Sequence, residues 1–482
     1  MIQGEILKRA KLNLSRLRDP LYSYPNVFEQ TSDWPGDFPG RALLSLTSLY
    51  GVFEGNEQED IKEHILSIIS HLDEYLNEDR YFGQIINDKE ISEQQLSGNS
   101  WYIRGLCRYY EISKDEKAIN YLKTINEKLL LPLASHYKDY PLKERIFAGG
   151  VSGHILNKIE NNWLLSSDVG CAFILLDGYV SCYEILKDER LKHSIEFIIE
   201  QYQRVDFVAL KCQTHATMTC ARAILRFYQL TKEEKYLDLV KKMFALYVEY
   251  GMTDDYQNIN WFQKEDSWTE ACCIIDSFIL CKYLYLITKE VQYLKLYNRI
   301  YLNSLRTFQR INGGAGCSSI VKGEQRILKA SLYEAYFCCS MRMGEGLFEL
   351  SKSFIDNQLL VADSYRNDDI DIEIDLYDKK VFKVHFLKPG SVSIYVPDGF
   401  TSNYLVKNNM ITISSNEEKT INIDFELNIN EDHHLYLCGD LILSQKDKHV
   451  GHIFDIKGQH YSYLNDSSLY EEDTLKDIKQ VL

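Results

Sequence analysis

Proline is scarce in this chain, 8 residues in 482, and no long Gly/Ser tract is present. Little room is left for disordered linkers. No apolar run reaches the roughly 20 residues that a membrane span needs, so no membrane partner is expected. The opening Met1-Ile2-Gln3-Gly4-Glu5 has no basic flank ahead of an apolar core, so no signal peptide is expected. The expected compartment is cytoplasmic, where thiols stay reduced. Basic residues are in deficit, 54 Lys and Arg against 70 Asp and Glu, for a net charge of −16. That balance argues against nucleic acid or an anionic membrane as the main partner.

What is present is an ordinary folded composition, 45% hydrophobic and 26% charged, in a chain long enough for two or three domains. Residues 2–18 place Ile2, Ile6, Leu7, Ala10 and Leu14 on one helical face. Helices are also expected over Arg41–Phe53 and Asp60–Leu76. A repeat follows. Tyr110-Glu111-Ile112-Ser113-Lys114-Asp115-Glu116 recurs at Tyr183–Glu189, at Tyr228–Glu234 and, more weakly, at Tyr285–Glu290. Each copy joins two apolar-periodic helices, and its acidic end falls where the next helix dipole favours it. The hairpins run over Asn99–Lys128, Asp168–Tyr202, His215–Tyr250 and Thr269–Phe308. Extra length lies ahead of the first helix of each pair, where loops usually carry function. With the N-terminal helices and a last helix over Met341–Ile355, about six pairs result. The expected class is mainly α, an (α/α)6 toroid of helical hairpins over 1–356.

After about Asn357 the period changes to two. Ile370–Leu376, Phe382–Phe386, Ser393–Val396 and Ile421–Phe425 alternate, and Leu435–Leu443 and Gly451–Asp455 look like further strands. An antiparallel β-sandwich domain is expected over 357–464, with a C-terminal tail at 465–482.

Twelve cysteines are present, and two pairs are adjacent in sequence. Cys272-Cys273 lies in Trp268-Thr269-Glu270-Ala271-Cys272-Cys273, and Cys338-Cys339 lies in Tyr336–Arg342. Thiolates and a carboxylate are zinc ligands, although a free cysteine is also a common core residue. Glu270 and Cys272 are i, i+2 and do not share a face in a regular helix. They can chelate together only from irregular backbone, whereas Glu270 and Cys273 could do so from a helix. Adjacent Cys338 and Cys339 need a bend. A carboxyl that protonates a leaving oxygen would be sought among Asp254, Asp255, Glu265 and Asp266. His215 and Asp168 begin successive hairpins, and Asp168 could equally be a helix cap. Trp34 and Trp261 stand at the long segments, where an aromatic ring can stack on a sugar or simply pack.

These pieces together resemble glycoside hydrolase family 127, the β-L-arabinofuranosidase type, across roughly residues 30–445. The resemblance includes Trp34-Pro35-Gly36-Asp37, His215-Ala216, Thr269–Cys272, Asn312-Gly313-Gly314, Cys338-Cys339 and Gly439–Leu443. It implies a retaining glycosidase in which Glu270, Cys272, Cys338 and Cys339 bind Zn²⁺ and Cys338 is the nucleophile. It further implies Asp254 as acid/base and His215 as a sugar contact. The family acid/base is Glu where this chain has Asp, the stretch from His215 to Glu270 is shorter, and Cys272 is followed by a second cysteine. Two rival classes are a metal-independent toroid enzyme (an epimerase, unsaturated-uronide hydrolase or lyase) and a non-catalytic carbohydrate-binding scaffold. A carbohydrate is the expected partner, and a homodimer is the oligomer to test for.

Overall fold

The computed structural model describes residues 1–482 except 30–32, 88, 146–151, 265–266, 311, 320–330, 433–434, 445–453 and 464–482. Glu265, Asp266 and the tail at 465–482 therefore lie outside the described residues, as does the start of the strand expected at Gly451–Asp455.

Six helices form a closed inner ring: α1 (Asp37–Tyr50), α2 (Glu93–Ser113), α3 (Leu175–Leu186), α4 (Thr214–Thr231), α5 (Ala271–Thr288) and α6 (Cys339–Ser351). Each packs on the next, and α6 packs back on α1. Six outer helices back them in turn: Asn56–His71, Glu116–Ile125, Glu189–Tyr202, Glu234–Tyr250, Val291–Ile300 and, behind α6, Gly4–Leu17. This is the (α/α)6 toroid. α5 is apolar enough to pass for a membrane span by length and composition, yet 78% of it is buried inside the protein. A helix buried on most of its surface needs no solvated polar face.

The repeated Tyr-x-x-x-Lys segment is the joint of four hairpins. Lys114, Lys187, Lys232 and Lys289 all adopt the left-handed region, φ +53° to +60°. Each donates its N–H to the carbonyl of the tyrosine four residues back, at 2.7–3.0 Å. Each ammonium also lies 5.1–5.8 Å from that tyrosine's ring centroid. The helix thus ends on an αL cap, and the aromatic shields the lysine that makes it. Asp115 and Asp188 then cap the next helices through the N–H groups of Lys117 and Arg190.

The N-terminal ends of the inner helices gather at one mouth of the ring. A three-stranded sheet leads into two of them: β1 (Trp268–Thr269), β2 (Gly316–Ser319) and β3 (Ser331–Glu334), with β2 central and antiparallel to both. β1 leads directly into α5, and β3 leads into the turn before α6. Segments far apart in sequence are held in register at that point.

The C-terminal part is the β-sandwich. A four-stranded antiparallel sheet includes Ile370–Asp375 paired with Val381–Phe386. A five-stranded sheet includes Gly390–Tyr395 paired with Met410–Ser415. Their alternate residues Ile372, Ile374, Val384, Phe386, Val392, Ile394, Ile411 and Ile413 are buried, as a period of two requires. Three expected elements differ. Ile421–Phe425 is split between Lys419–Asn422 and Phe425–Leu427, which join different sheets. Leu435–Leu443 is a hairpin that turns at Gly439, φ +60°, a conformation that favours glycine. The last helix runs Cys339–Ser351, and Phe354–Ile355 is already a strand.

The turn residue Asp440 fastens this part to the ring. Its buried carboxylate accepts from Tyr395 Oη at 2.6 Å and pairs with Arg299 at 3.3 Å. Asn303 bonds the Asp440 carbonyl at 2.7 Å and accepts from Ile442 N at 3.0 Å.

Candidate metal centre

Glu270 is the residue before α5, with extended backbone (φ −129°, ψ 120°), and Cys272 is the second residue of the helix. Cys338 is the corresponding residue before α6 (φ −145°, ψ −66°), and Cys339 is the first residue of that helix. Both pairs thus lie where the chain changes from irregular to helical. One ligand atom from each of the four comes within 4.8 Å of the other three. The sulfur of Cys272 is 3.7 Å from that of Cys339, which is 3.4 Å from that of Cys338. Thiolates at about 2.3 Å around a tetrahedral zinc stand about 3.8 Å apart, so these donors fit such an ion. Cys272 and Cys339 are buried, whereas Glu270 and Cys338 are half-buried. Cys338 therefore offers the accessible thiol of the set.

The supports are local. Asn258 Oδ1 accepts the Glu270 N–H at 2.8 Å, and Asn258 is wholly buried. Glu334 accepts from Ser340 Oγ at 2.9 Å, Arg16 Nε at 2.7 Å and Asn312 at 2.9 Å, so the start of α6 is tied to the outer helix Gly4–Leu17. Burial alone would push the Cys272 thiol up. Hydrogen bonding with Cys338 and Cys339 and the Arg41 guanidinium outweigh it and hold Cys272 well below the usual thiol range. The Cys338 thiol is pushed up by its hydrogen bond to Cys272. Cys273 is outside the group; burial pushes its thiol up, beside Thr214 and Tyr247.

His215, the second residue of α4, lies against this cluster. Its Nδ1 is 3.5 Å from Glu270 Oε1 and its Nε2 is 3.6 Å from Asp276 Oδ2. Its ring stacks on Trp101 at 5.9 Å. Burial pushes its pKa down to about 4, which keeps the ring neutral at neutral pH.

Asp168 and Trp261 are brought together and buried. The Asp168 carboxylate accepts from Trp261 Nε1 at 2.9 Å, Ser152 Oγ at 2.7 Å, Gly153 N at 2.8 Å and Gln213 at 3.3 Å. It ties three segments beside the α4 start and does not cap the helix that follows, which begins after Gly170. Trp34 is half-buried against Gly153, where an added Cβ would lie 2.2 Å from the ring. Asp254 is half-buried in the turn Thr253–Tyr256. Asp255 accepts from the Thr253 hydroxyl and from Gln257, and burial pushes its carboxyl up.

Sequence reasoning missed the floor beneath the cluster. Arg41, Arg104 and Arg342 lie 3.8, 4.6 and 4.8 Å from the Trp101 ring. Arg342 pairs with Asp276 at 2.5 Å, Arg222 with Asp177 at 2.5 Å, and Arg104 with Glu345 at 2.6 Å. Buried charges persist only when paired, and here each carboxylate serves an arginine from another helix. The signal was available as polar stripes along inner helices: His215, Thr219, Arg222 and Arg226 on α4, and Arg342, Glu345 and Glu349 on α6.

The sequence matches no family model and no curated protein. Solved structures share the fold. A protein described as a glycoside hydrolase aligns with a TM-score of 0.61, 10% identity, and 92% of this chain on 81% of its own. A GH127 β-L-arabinofuranosidase from Geobacillus stearothermophilus T6 aligns at 0.58, with 10% identity over 92% of this chain and 86% of that one. The GH127 β-arabinofuranosidase BT3674 aligns at 0.60, with 9% identity over 91% and 79%. At such identities the likeness is one of fold.

Proposed function

We propose that this chain is a retaining glycoside hydrolase, a divergent relative of the GH127 enzymes whose fold it shares, with Cys338 as nucleophile. One observation carries the reading. Glu270, Cys272, Cys338 and Cys339 converge at the mouth of the toroid, and one thiol, Cys338, is accessible there. An apolar cysteine core has no use for a carboxylate among its thiols, whereas a metal–thiolate centre can take it as a ligand, and half-buried Cys338 leaves one of those thiols within reach of a substrate.

Glu270, Cys272, Cys338 and Cys339 would hold one Zn²⁺. A bound zinc supplies positive charge that keeps the thiols ionised at neutral pH and makes sulfur a better leaving group. The chain's residues do the rest. Cys338 Sγ attacks the anomeric carbon; the C–S bond forms as the glycosidic C–O bond breaks. Asp254 is the proposed acid, giving its proton to the leaving oxygen. It then takes a proton from water, whose oxygen attacks the same carbon, and the C–S bond breaks to restore the thiolate. Two displacements leave the anomeric configuration retained. The substrate class is a terminal glycoside, with a β-L-arabinofuranoside as the first to try. His215, with Nδ1 3.5 Å from Glu270 Oε1, stands where it can steady that carboxylate.

The test is turnover of a panel of aryl glycosides by wild type and Cys338→Ala. The variant is expected to lose all turnover while its circular dichroism still shows the folded protein. Near-normal turnover in Cys338→Ala would overturn the mechanism. Asp254→Asn should lose turnover most on glycosides with poor leaving groups, because only these need the proton.

A further inference from the structure

We propose that Arg41 is a positioning residue of the metal–thiolate centre, holding the Cys272 sulfur in place by an N–H···S hydrogen bond. The proposal rests on the metal reading of the cluster, though not on the sugar chemistry.

Arg41 is 3% exposed and makes three contacts at once. Its Nε donates to Asp37 Oδ1 at 2.6 Å. Its Nη1 stands 3.5 Å from Cys272 Sγ. The flat face of its guanidinium lies 3.8 Å from the Trp101 ring centroid, and Trp101 is wholly buried. A guanidinium offers a planar fork and two faces; a lysine ammonium offers neither. Asp37 and Arg41 stand one turn apart at the start of α1, so the pair needs no long-range support to form.

The surrounding glycines show that this placement is built. A Cβ on Gly40 would lie 2.2 Å from Tyr102 N, and one on Gly98 would lie 2.2 Å from Pro35 O. α1 and α2 can approach closely only because both positions lack side chains. That approach sets Arg41 of α1 onto Trp101 of α2. The Trp34-Pro35-Gly36-Asp37 segment thereby gains a role. It starts α1 where Asp37 can aim the arginine at the cluster.

The ligand set needs such a donor. Glu270 and three thiolates carry four negative charges when ionised, two more than a divalent ion offsets. Cys272 is buried, so water does not solvate its sulfur. Arg41 supplies a directed donor in water's place, while Asp37 keeps the arginine itself paired. Hydrogen bonds of this kind orient metal ligands and tune their donor strength.

The experiment uses the whole protein, stripped of metal and reloaded with cobalt(II) or zinc. It reads the thiolate-to-cobalt charge-transfer band and the zinc dissociation constant by competition with a chelating dye. R41M and R41K are expected to shift the band and weaken zinc by about 10- to 100-fold. D37N should shift both readouts less, in the same direction. R226M is the control. Arg226 pairs with Asp177 and Glu184 about three turns along α4 from His215, away from the cluster. R226M should leave the band in place. A folded R41K with the wild-type band and affinity overturns the proposal, as does an R226M that moves the band equally. If R41M does not fold, R41K and D37N carry the test. Wild type that takes up no cobalt removes the metal reading and this proposal with it. Turnover is not measured, so failure of the glycosidase assignment alone leaves the result standing.

Discussion

Cys272 and Cys273 are adjacent in the first turn of α5 and point to different surroundings. Cys272 joins Cys338, Cys339 and Glu270, and Cys273 packs beside Tyr247. Cys272→Ala should therefore cost the metal and turnover together. Cys273→Ala should keep both and cost about 1 kcal/mol of stability through the small void it leaves. Metal retained in the first variant and lost in the second would exchange their roles. Glu270 and the two cysteine pairs stand out in the sequence because adjacent thiols are unusual and both pairs sit at helix starts, but only the family resemblance favours Cys272 over Cys273. Their supports do not stand out. Arg41 is 231 residues from Cys272, and nothing local to either announces the contact. Asp168 and Trp261 show the converse. Their residue types suggest a sugar site, yet 93 residues of separation hide the hydrogen bond that joins them.

The helix–helix joints are where sequence and structure agree most closely, because a helix end is specified within a few residues. The Tyr-x-x-x-Lys repeat marks each one. Its left-handed lysine is a strained choice for a residue with a side chain. Lys232→Gly should relieve that strain and raise stability by about 0.5–1 kcal/mol in denaturant unfolding, net of the lost stack on Tyr228. A loss of stability would mean that the lysine–tyrosine stack outweighs the backbone cost. The three-stranded sheet β1–β2–β3 is not legible, since β1 is two residues long and its pairing is long-range. Another long-range tie titrates. Asp363 accepts from Glu5 N at 3.1 Å and Ile6 N at 2.9 Å, capping the first outer helix from the start of the β-sandwich part. Burial pushes its carboxyl up to about 6 from 3.8. Stability from this group is fully present below about pH 4 and is lost as pH rises through 6. Relative to Asp363→Asn, wild type should lose up to about 3 kcal/mol between pH 4 and pH 8. A gap between the two proteins that stays constant with pH would contradict this.

At the scale of the whole molecule, the ring closes because α6 returns to α1, and closure creates both the mouth and the charged axis beneath it. The count of hairpins and the change to period two are enough to expect a toroid with a β-sandwich behind it. The polar axis is harder to foresee. Most of its arginine–carboxylate pairs join different helices and form only once the ring has closed. The same closure brings the ends of α5 and α6 together and so assembles the cluster. The function of this chain turns on what those four side chains hold. Elemental analysis of protein purified without chelator, wild type beside Cys272→Ala, tests it most directly. One zinc per wild-type chain and little or none in the folded variant is the predicted result. A wild type without bound metal, or equal zinc in both proteins, would contradict it.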